Sequence, residues 1–237
     1  IIIKSLLYYL FDSLVLWKTP SPQKNQLEVV LLIRQDAIGD FVMWLDTAKE
    51  YRELYPSENY RIVLVGNAVW FDLAKGLPYW DEVLPINVKK FKTFSSYRRN
   101  ILRKVNSFGA QIAVQPTFSR EFYHGDSLVR ASNAFHKVSS VGDMSNRNWL
   151  KKTLADGWHT DLIPASTQIM TELERNAEFF SGISGKPCKI VYPKLDLPQT
   201  VSSNIWKNRE YYVLFPGVGS AIRQWSVESF AEIANRI

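Results

Sequence analysis

Residues 28–34 read EVVLLIR and lead directly into the loop QDAIGD and a long helical pattern. An unbroken apolar run of this length is typical of a strand buried on both faces of a parallel sheet. Similar runs follow: YRIVLVG at 60–66, DEVLPI at 81–86, AQIAVQP at 110–116 and KVSSVG at 137–142. Helical patterns lie near 41–55, 69–75, 95–107 and 125–134. The alternation predicts an α/β fold with an open parallel sheet, whose ligands bind beyond the carboxyl ends of the strands.

The second half of the chain is less regular. Residues 145–164 carry no clear pattern, and a helix is predicted at 167–180. A proline-containing linker precedes YYVLFPGVGSAIRQWSVESFAEIANRI, which has the order strand, glycine-rich loop and helix. We predict four segments: an apolar helix and linker at 1–27, a Rossmann-like domain at 28–185, a linker at 186–208, and the start of a second Rossmann-like domain at 209–237 that the chain does not complete.

Composition favours a folded protein without a metal centre. Of 237 residues, 46% are apolar and 22% are charged, which argues against disorder. The three histidines, His124, His136 and His159, lie far apart, and Cys188 is the only cysteine. No metal-ligand spacing results, so we predict no metal and no cofactor. A single cysteine suits a reducing compartment.

The formal net charge is +6, and much of the excess lies between Lys89 and Lys104. This run has two interpretations. It is a solvated helix face, or it contacts an anionic partner such as nucleic acid, lipid or a phosphorylated substrate. Only the charge suggests nucleic acid, so we expect no nucleic-acid partner.

The N-terminal stretch IIIKSLLYYLFDSLVLW contains Lys4 and Asp12 within 17 residues. A membrane span needs about 20 mostly apolar residues, and no small-residue cleavage site follows. Apolar residues cover most of the helical circumference. The segment is therefore either a helix at a membrane surface or a terminal helix packed on protein.

The loop QDAIGDF contains the first candidate for chemistry. Gly39 permits a close backbone approach, and Asp40 stands at the start of the next helix. Asp40 is either a helix cap or a general base that takes a proton from a hydroxyl group. Asp36 is a less favoured candidate for the base.

The loop FPGVGSAIRQWS at 215–226 contains the second candidate. Gly217, Gly219 and Ser220 can present backbone N–H groups to an anion, and Arg223 adds a forked cationic donor suited to phosphate. No GK[ST] sequence follows, so the loop is not a P-loop. The alternative is an ordinary turn with a surface arginine. Trp225 is predicted to be a core residue.

Together these loops resemble glycosyltransferase family 9, which includes the heptosyltransferases of bacterial lipopolysaccharide synthesis. The resemblance rests on an R-x-x-x-x-G-D pattern at 34–40, on TELERNAEFFSGI at 171–183 and on RQWSVESFAEIANRI at 223–237. It implies a GT-B architecture of two Rossmann-like domains. It also implies a cytoplasmic enzyme that transfers heptose from ADP-heptose to a lipopolysaccharide-core or related glycan acceptor, with inversion and without a metal. If the apolar segment 1–17 lies at a membrane surface, this enzyme is peripheral at the inner face of the cytoplasmic membrane.

The resemblance also assigns roles to residues. Asp40 matches the base, while Arg223, with Gly217, Gly219 and Ser220, matches the loop that meets the donor diphosphate. Gly39 and Arg120 fall on the acceptor side; Arg120 is alternatively a surface or salt-bridged residue. Two positions depart from the family pattern, with Ser226 in place of the usual proline and Gln224 in place of a basic or small residue.

A second hypothesis keeps the same architecture without catalysis. In it, the chain is a silent GT-B-like module that serves as a membrane-associated binding or assembly protein. Under the first hypothesis, we expect these 237 residues to be inactive alone, because a cleft between two domains needs both walls.

Overall fold

The structure is a computed structural model that describes residues 2–19, 26–194, 210–218 and 221–236. The chain divides into two compact units, Ile1–Lys194 and Leu195–Ile237. The first unit contains the sheet and all but one of the α-helices of the described residues. The N-terminal helix belongs to this unit.

The first unit alternates strands and helices as the sequence predicts. Its strands are β1 (Glu28–Arg34), β2 (Tyr60–Asn67), β3 (Glu82–Ile86), β4 (Ile112–Gln115), β5 (His136–Ser140) and β6 (Asp161–Ile163). Its helices are α1 (Ile2–Trp17), α2 (Ile38–Leu54), α3 (Phe71–Ala74), α4 (Val88–Phe91), α5 (Ser96–Ser107), α6 (Ser127–Ser132), α7 (Trp149–Asp156) and α8 (Glu172–Ser184). A π-helical turn, Phe122–Asp126, precedes α6.

The six strands form one parallel sheet in the order β3-β2-β1-β4-β5-β6. β1 is central, with Leu31 paired to Val63 on one side and to Ala113 on the other. The chain moves outward from β1 to β3, then returns to place β4 on the opposite side of β1. This reversal between β1 and β4 is the topological switch point of a Rossmann-like sheet.

Both faces of β1 are covered by apolar side chains. Alternate β1 residues, Val29, Leu31 and Ile33, belong to a buried cluster to which α1, α5 and α6 contribute. The other face carries aromatic residues that include Phe41 and Trp44 of α2, which contacts α8. A strand buried on both faces explains why EVVLLIR is continuously apolar rather than alternating.

Helix α1 packs on the first unit through its polar and aromatic side. Asp12 is buried and accepts two hydrogen bonds from the guanidinium of the equally buried Arg98, at 2.8 and 2.5 Å. Ser5 Oγ lies 3.0 Å from the hydroxyl of Tyr123. The packed-helix interpretation therefore holds for this side. None of the helices in the described part of the chain combines the length and apolar character that crossing a bilayer requires.

In the first unit, the structure differs from the sequence prediction at residues 145–164 and at α8. The patternless residues 145–164 contain α7 and the edge strand β6. Helix α8 begins later than predicted, because Thr171 and Glu174 form a capping box, and it runs through Gly182 to end at the left-handed Gly185. The residue at this position inside the helix is a glycine because a Cβ there would lie 2.3 Å from Ile163 Cγ2 of β6.

In the second unit, the predicted helix forms and the predicted strand does not. The helix α9 (Val227–Ala234) begins at an N-cap serine, Ser226, whose hydroxyl accepts from the backbone N–H of Ser229. Residues 210–218 are exposed and have no strand structure. A strand needs a neighbouring strand for its backbone hydrogen bonds, and the described residues of this unit contain none.

Candidate active site

The carboxyl ends of β1 and β4 meet at the switch point, and a cavity of about 250 Å³ opens there. Its wall includes the polar side chains of Gln35, Asp36, Gln115, Thr117, Glu121 and His124. Two atoms of these residues, Gln35 Oε1 and His124 Nε2, are buried without a hydrogen-bond partner among the described residues. A wall rich in hydrogen-bonding groups suits a polyhydroxylated ligand better than an apolar one.

The loop after β1 is pinned to β2. The indole Nε1 of Trp70 and the side-chain amide of Asn67 both donate to the carbonyl oxygen of Asp36, each at 3.1 Å. Gln35 donates to Val65 O at 2.8 Å. These bonds fix the backbone from which the acidic side chains of the loop project.

Arg34, the last residue of β1, is fully buried and gathers acidic side chains around the carboxyl end of the strand. Its Nε lies 2.8 Å from Asp36 Oδ2, and its Nη2 lies 2.5 Å from Glu172 Oε1 at the start of α8. Asp36 also accepts a hydrogen bond from the Thr117 hydroxyl at 3.3 Å. The carboxylate of Asp36 therefore has partners from β1 and from the segment after β4.

Asp40 is exposed in the first turn of α2. The capping alternative is wrong, because Ala37 occupies the N-cap position and Asp40 is the third helical residue. In the described part of the chain, its carboxylate has no hydrogen-bond or ion-pair partner. The Asp40 carboxylate lies near the ion pair between Arg34 and Glu172. Burial is the main cause of the raised pKa of Glu172, and the negative charge of Asp40 is among the further causes that raise it.

Glu121 and His124 form a pair on the cavity wall. His124 Nδ1 lies 2.7 Å from Glu121 Oε2, and Lys92 Nζ lies 3.7 Å from the same oxygen. The hydrogen bond from His124 is the main reason why the pKa of Glu121 lies below its usual value. Glu121 therefore contributes a carboxylate that is ionised at neutral pH.

Arg120 lies beneath the surface. It is fully buried, its Nη1 donates to Ser140 O at 2.9 Å, and it is ion-paired with Asp126 and Asp156. Of the two interpretations offered by the sequence, the salt-bridged one describes this guanidinium. Its contact with an acceptor stays a prediction, and Gly39, in the first turn of α2 beside Asp40, has space around it.

The basic run between Lys89 and Lys104 is not uniformly solvated. Arg98 is fully buried against Asp12, whereas Arg99 and Lys104 are exposed on α5. Arg98 therefore forms an internal ion pair, whereas Arg99 and Lys104 carry positive charge at the surface.

The second candidate loop belongs to the second unit and is only partly described. Gly219 and Ser220 lie outside the described residues. Gly217 is exposed, and Arg223 ends a short 3₁₀ turn, Ala221–Arg223, with its side chain exposed. Trp225 contacts the ring of Phe230 at 5.3 Å and is half exposed, so it is less buried than a core residue.

Solved structures with the same fold are known. Escherichia coli heptosyltransferase WaaC with ADP-2-deoxy-2-fluoro heptose matches with a TM-score of 0.64 at 14% identity, over 88% of this chain and 65% of that one. The same enzyme with ADP matches with a TM-score of 0.59 at 15% identity, over 88% and 62%. A glycosyl transferase family 9 protein from Veillonella parvula DSM 2008 matches with a TM-score of 0.64 at 12% identity, over 91% and 61%.

The fold is that of glycosyltransferase family 9. The resemblance seen in the sequence is thus confirmed at the level of the fold. The chain spans less than two thirds of the length of each of these solved chains. No protein-family model matches the sequence, and no curated protein matches it.

Sequence reasoning found the loop after β1 but missed most of the cavity wall. Gln115 is the last residue of β4, and Thr117 follows two residues later. Glu121 directly precedes the π-helical turn Phe122–Asp126, which contains His124. The available signal was their position after a strand next to the switch point. From this segment the sequence analysis selected only Arg120, because the strand order, which places β4 beside β1, could not be derived from the pattern of apolar residues.

Proposed function

We propose that this chain forms the acceptor-side part of a glycosyltransferase that transfers a sugar from a nucleotide-sugar donor to a hydroxyl group. The observation that supports it most directly is the position of Asp40. Its carboxylate is open to solvent in the first turn of the helix after the central strand, three residues beyond Ala37, which lines the polar cavity at the switch point. A base must be free to reach the proton that it removes, and Asp40 meets this condition while Asp36 is already engaged.

The nature of the donor is inferred from the proteins that share the fold. WaaC is described with ADP and with an ADP-heptose analogue, so a nucleoside diphosphate sugar is the natural candidate here. We extend the proposal to heptose as the sugar and to a lipopolysaccharide-core or related glycan as the acceptor. The wall of polar groups beside Asp36 suits an acceptor rich in hydroxyl groups.

The proposed reaction is a single displacement at the anomeric carbon, with inversion and without a metal. The acceptor oxygen forms the new glycosidic bond, the bond from the anomeric carbon to the diphosphate oxygen breaks, and Asp40 takes the acceptor proton. Arg223 and the backbone N–H groups around Gly217, Gly219 and Ser220 would stabilise the charge on the leaving diphosphate.

The test is sugar transfer by the full-length protein carrying Asp40→Asn. We expect kcat to fall by about 10²- to 10⁴-fold, the usual contribution of general base catalysis, with little change in melting temperature. Asp72→Asn is the matched control, because Asp72 is an exposed carboxylate on α3 that pairs only with Lys75 in the described residues. Full activity of Asp40→Asn would remove Asp40 as the base. Failure of the wild-type protein to transfer any sugar would favour the silent binding module.

A further inference from the structure

Helix α1 presents an aliphatic stripe to solvent. Six large apolar side chains of this helix are at least half exposed: Ile3, Leu6, Leu7, Leu10, Leu14 and Trp17. At 100° per residue, these positions fall within an arc of about 100° on one side of the helix. A continuous apolar stripe on the outer side of a surface helix marks an interaction site.

The contacts of the opposite side fix which face of α1 points outward. Asp12 binds Arg98, Ser5 contacts Tyr123, and Tyr8 donates to the carbonyl oxygen of Lys92. Arg98 is fully buried and its charge is neutralised by Asp12, so turning α1 over would move Asp12 to the outer side and leave the Arg98 guanidinium unpaired in the interior. The stripe therefore faces away from the sheet because polar contacts hold the other face in place.

The charges around the stripe identify its partner. Lys4 and Lys18 are exposed at the two ends of the helix, and the only acidic residue of α1 is the buried Asp12. The neighbouring α5 exposes Arg99 and Lys104. No aspartate or glutamate occurs in the 38 residues 83–120, so Arg99 and Lys104 have no acidic neighbours close in sequence. An apolar stripe flanked by lysines and ending in tryptophan matches a helix that lies in the headgroup region of an anionic bilayer.

We propose that α1 docks the protein onto the surface of an anionic lipid membrane, with the stripe entering the headgroup–acyl boundary and the flanking lysines and arginines meeting lipid phosphates. This helix lies in the interface plane and does not span the bilayer. The proposal stands independently of the sugar-transfer reaction, because it rests on α1 and α5 and not on the residues of the switch point.

The test is flotation of the 237-residue chain with vesicles of phosphatidylcholine and phosphatidylglycerol at 3:1, compared with pure phosphatidylcholine. We expect binding to the anionic vesicles and weaker binding to the neutral ones. Leu7→Glu/Leu10→Glu should lower the partition coefficient by at least about tenfold, because both leucines lose their transfer out of water and gain a repelled charge. Leu7→Ala/Leu10→Ala should lower it less, with no change in charge.

The matched control is Val69→Glu/Ile169→Glu, which adds the same charge at two exposed apolar residues away from α1. It should bind nearly as the wild type does. Arg99→Glu/Lys104→Glu should reduce the preference for anionic over neutral vesicles. Binding of Leu7→Glu/Leu10→Glu equal to that of the control would overturn the proposal. So would a wild-type chain that ignores vesicles but forms a dimer that this variant dissociates, since the stripe would then join two copies.

Discussion

Arg34 Nη2 lies 2.5 Å from Glu172 Oε1, and this contact joins the end of the central strand to the start of α8, 138 residues later. The same guanidinium reaches Asp36 and donates to Asn176 Oδ1 at 2.9 Å. A buried arginine thus ties the candidate catalytic loop to the helix that closes the first unit.

Removing this arginine should destabilise the first unit. We expect Arg34→Met to lower the free energy of unfolding by about 3 kcal/mol, because Asp36 and Glu172 lose their shared cation. Glu172→Gln should cost only about 1 kcal/mol, since an amide oxygen still accepts from Arg34 and burial already disfavours the ionised carboxyl. Urea unfolding of the two variants measures the difference. Equal midpoints for Arg34→Met and the wild type would contradict the assigned role.

Gly66 lies in β2, but a methyl group added there should disturb the loop after β1, because it would displace Trp70. Its Cβ would lie 2.0 Å from Cη2 of the buried Trp70, whose indole holds the carbonyl of Asp36. We expect Gly66→Ala to cost about 1–3 kcal/mol through overpacking. Gly76→Ala is the control, because the nearest atom to its Cβ is 3.9 Å away. Thermal unfolding of both variants tests the prediction, which fails if they melt at the same temperature.

The anchoring of α1 can be tested at its buried ion pair. Asp12→Ala leaves Arg98 buried without a carboxylate, so we expect a loss of about 3–5 kcal/mol in the free energy of unfolding. Leu10→Ala, on the exposed side of the same helix, should change it by less than about 0.5 kcal/mol. If denaturant unfolding gave similar values for the two variants, α1 would not be an integral part of the first unit.

His159 should make the stability of the protein fall in acid. Burial, followed by the charge of Arg120, lowers the pKa of His159 to about 3. The unfolded chain protonates this imidazole below about pH 6.5, while the folded chain keeps it neutral. The unfolded state then binds more protons, so this group lowers the free energy of unfolding by about 1.2 kcal/mol between pH 6 and pH 5. His159→Asn should show a correspondingly shallower decline in urea unfolding at pH 7, 6 and 5; an unchanged slope would refute this.

The sheet could be predicted from sequence because its central strands are continuously apolar. β6 could not, since Asp161–Ile163 is a short, partly exposed edge strand without such a run. The helix α8 was expected, but its start was misplaced because a capping box, not the apolar pattern, sets it.

The candidate site was harder to derive than the fold. Its organising contacts join residues far apart in sequence, such as Arg34 with Glu172 and Asp36 with Thr117. Periodicity reports which face of an element is buried and says nothing about which charges meet there. The burial of Arg98 and Arg120 was missed for the same reason, because each arginine finds its carboxylate in another element.

The Asp12–Arg98 pair has a practical consequence for anyone cloning this protein. The proline-containing stretch after α1 is an obvious site for truncating the chain, and the exposed apolar face of α1 is a reason to remove this helix. Such a deletion would uncover Arg98 and strip Val15 from the packed interior. A variant intended to be more soluble should therefore keep α1 and substitute its exposed leucines one at a time.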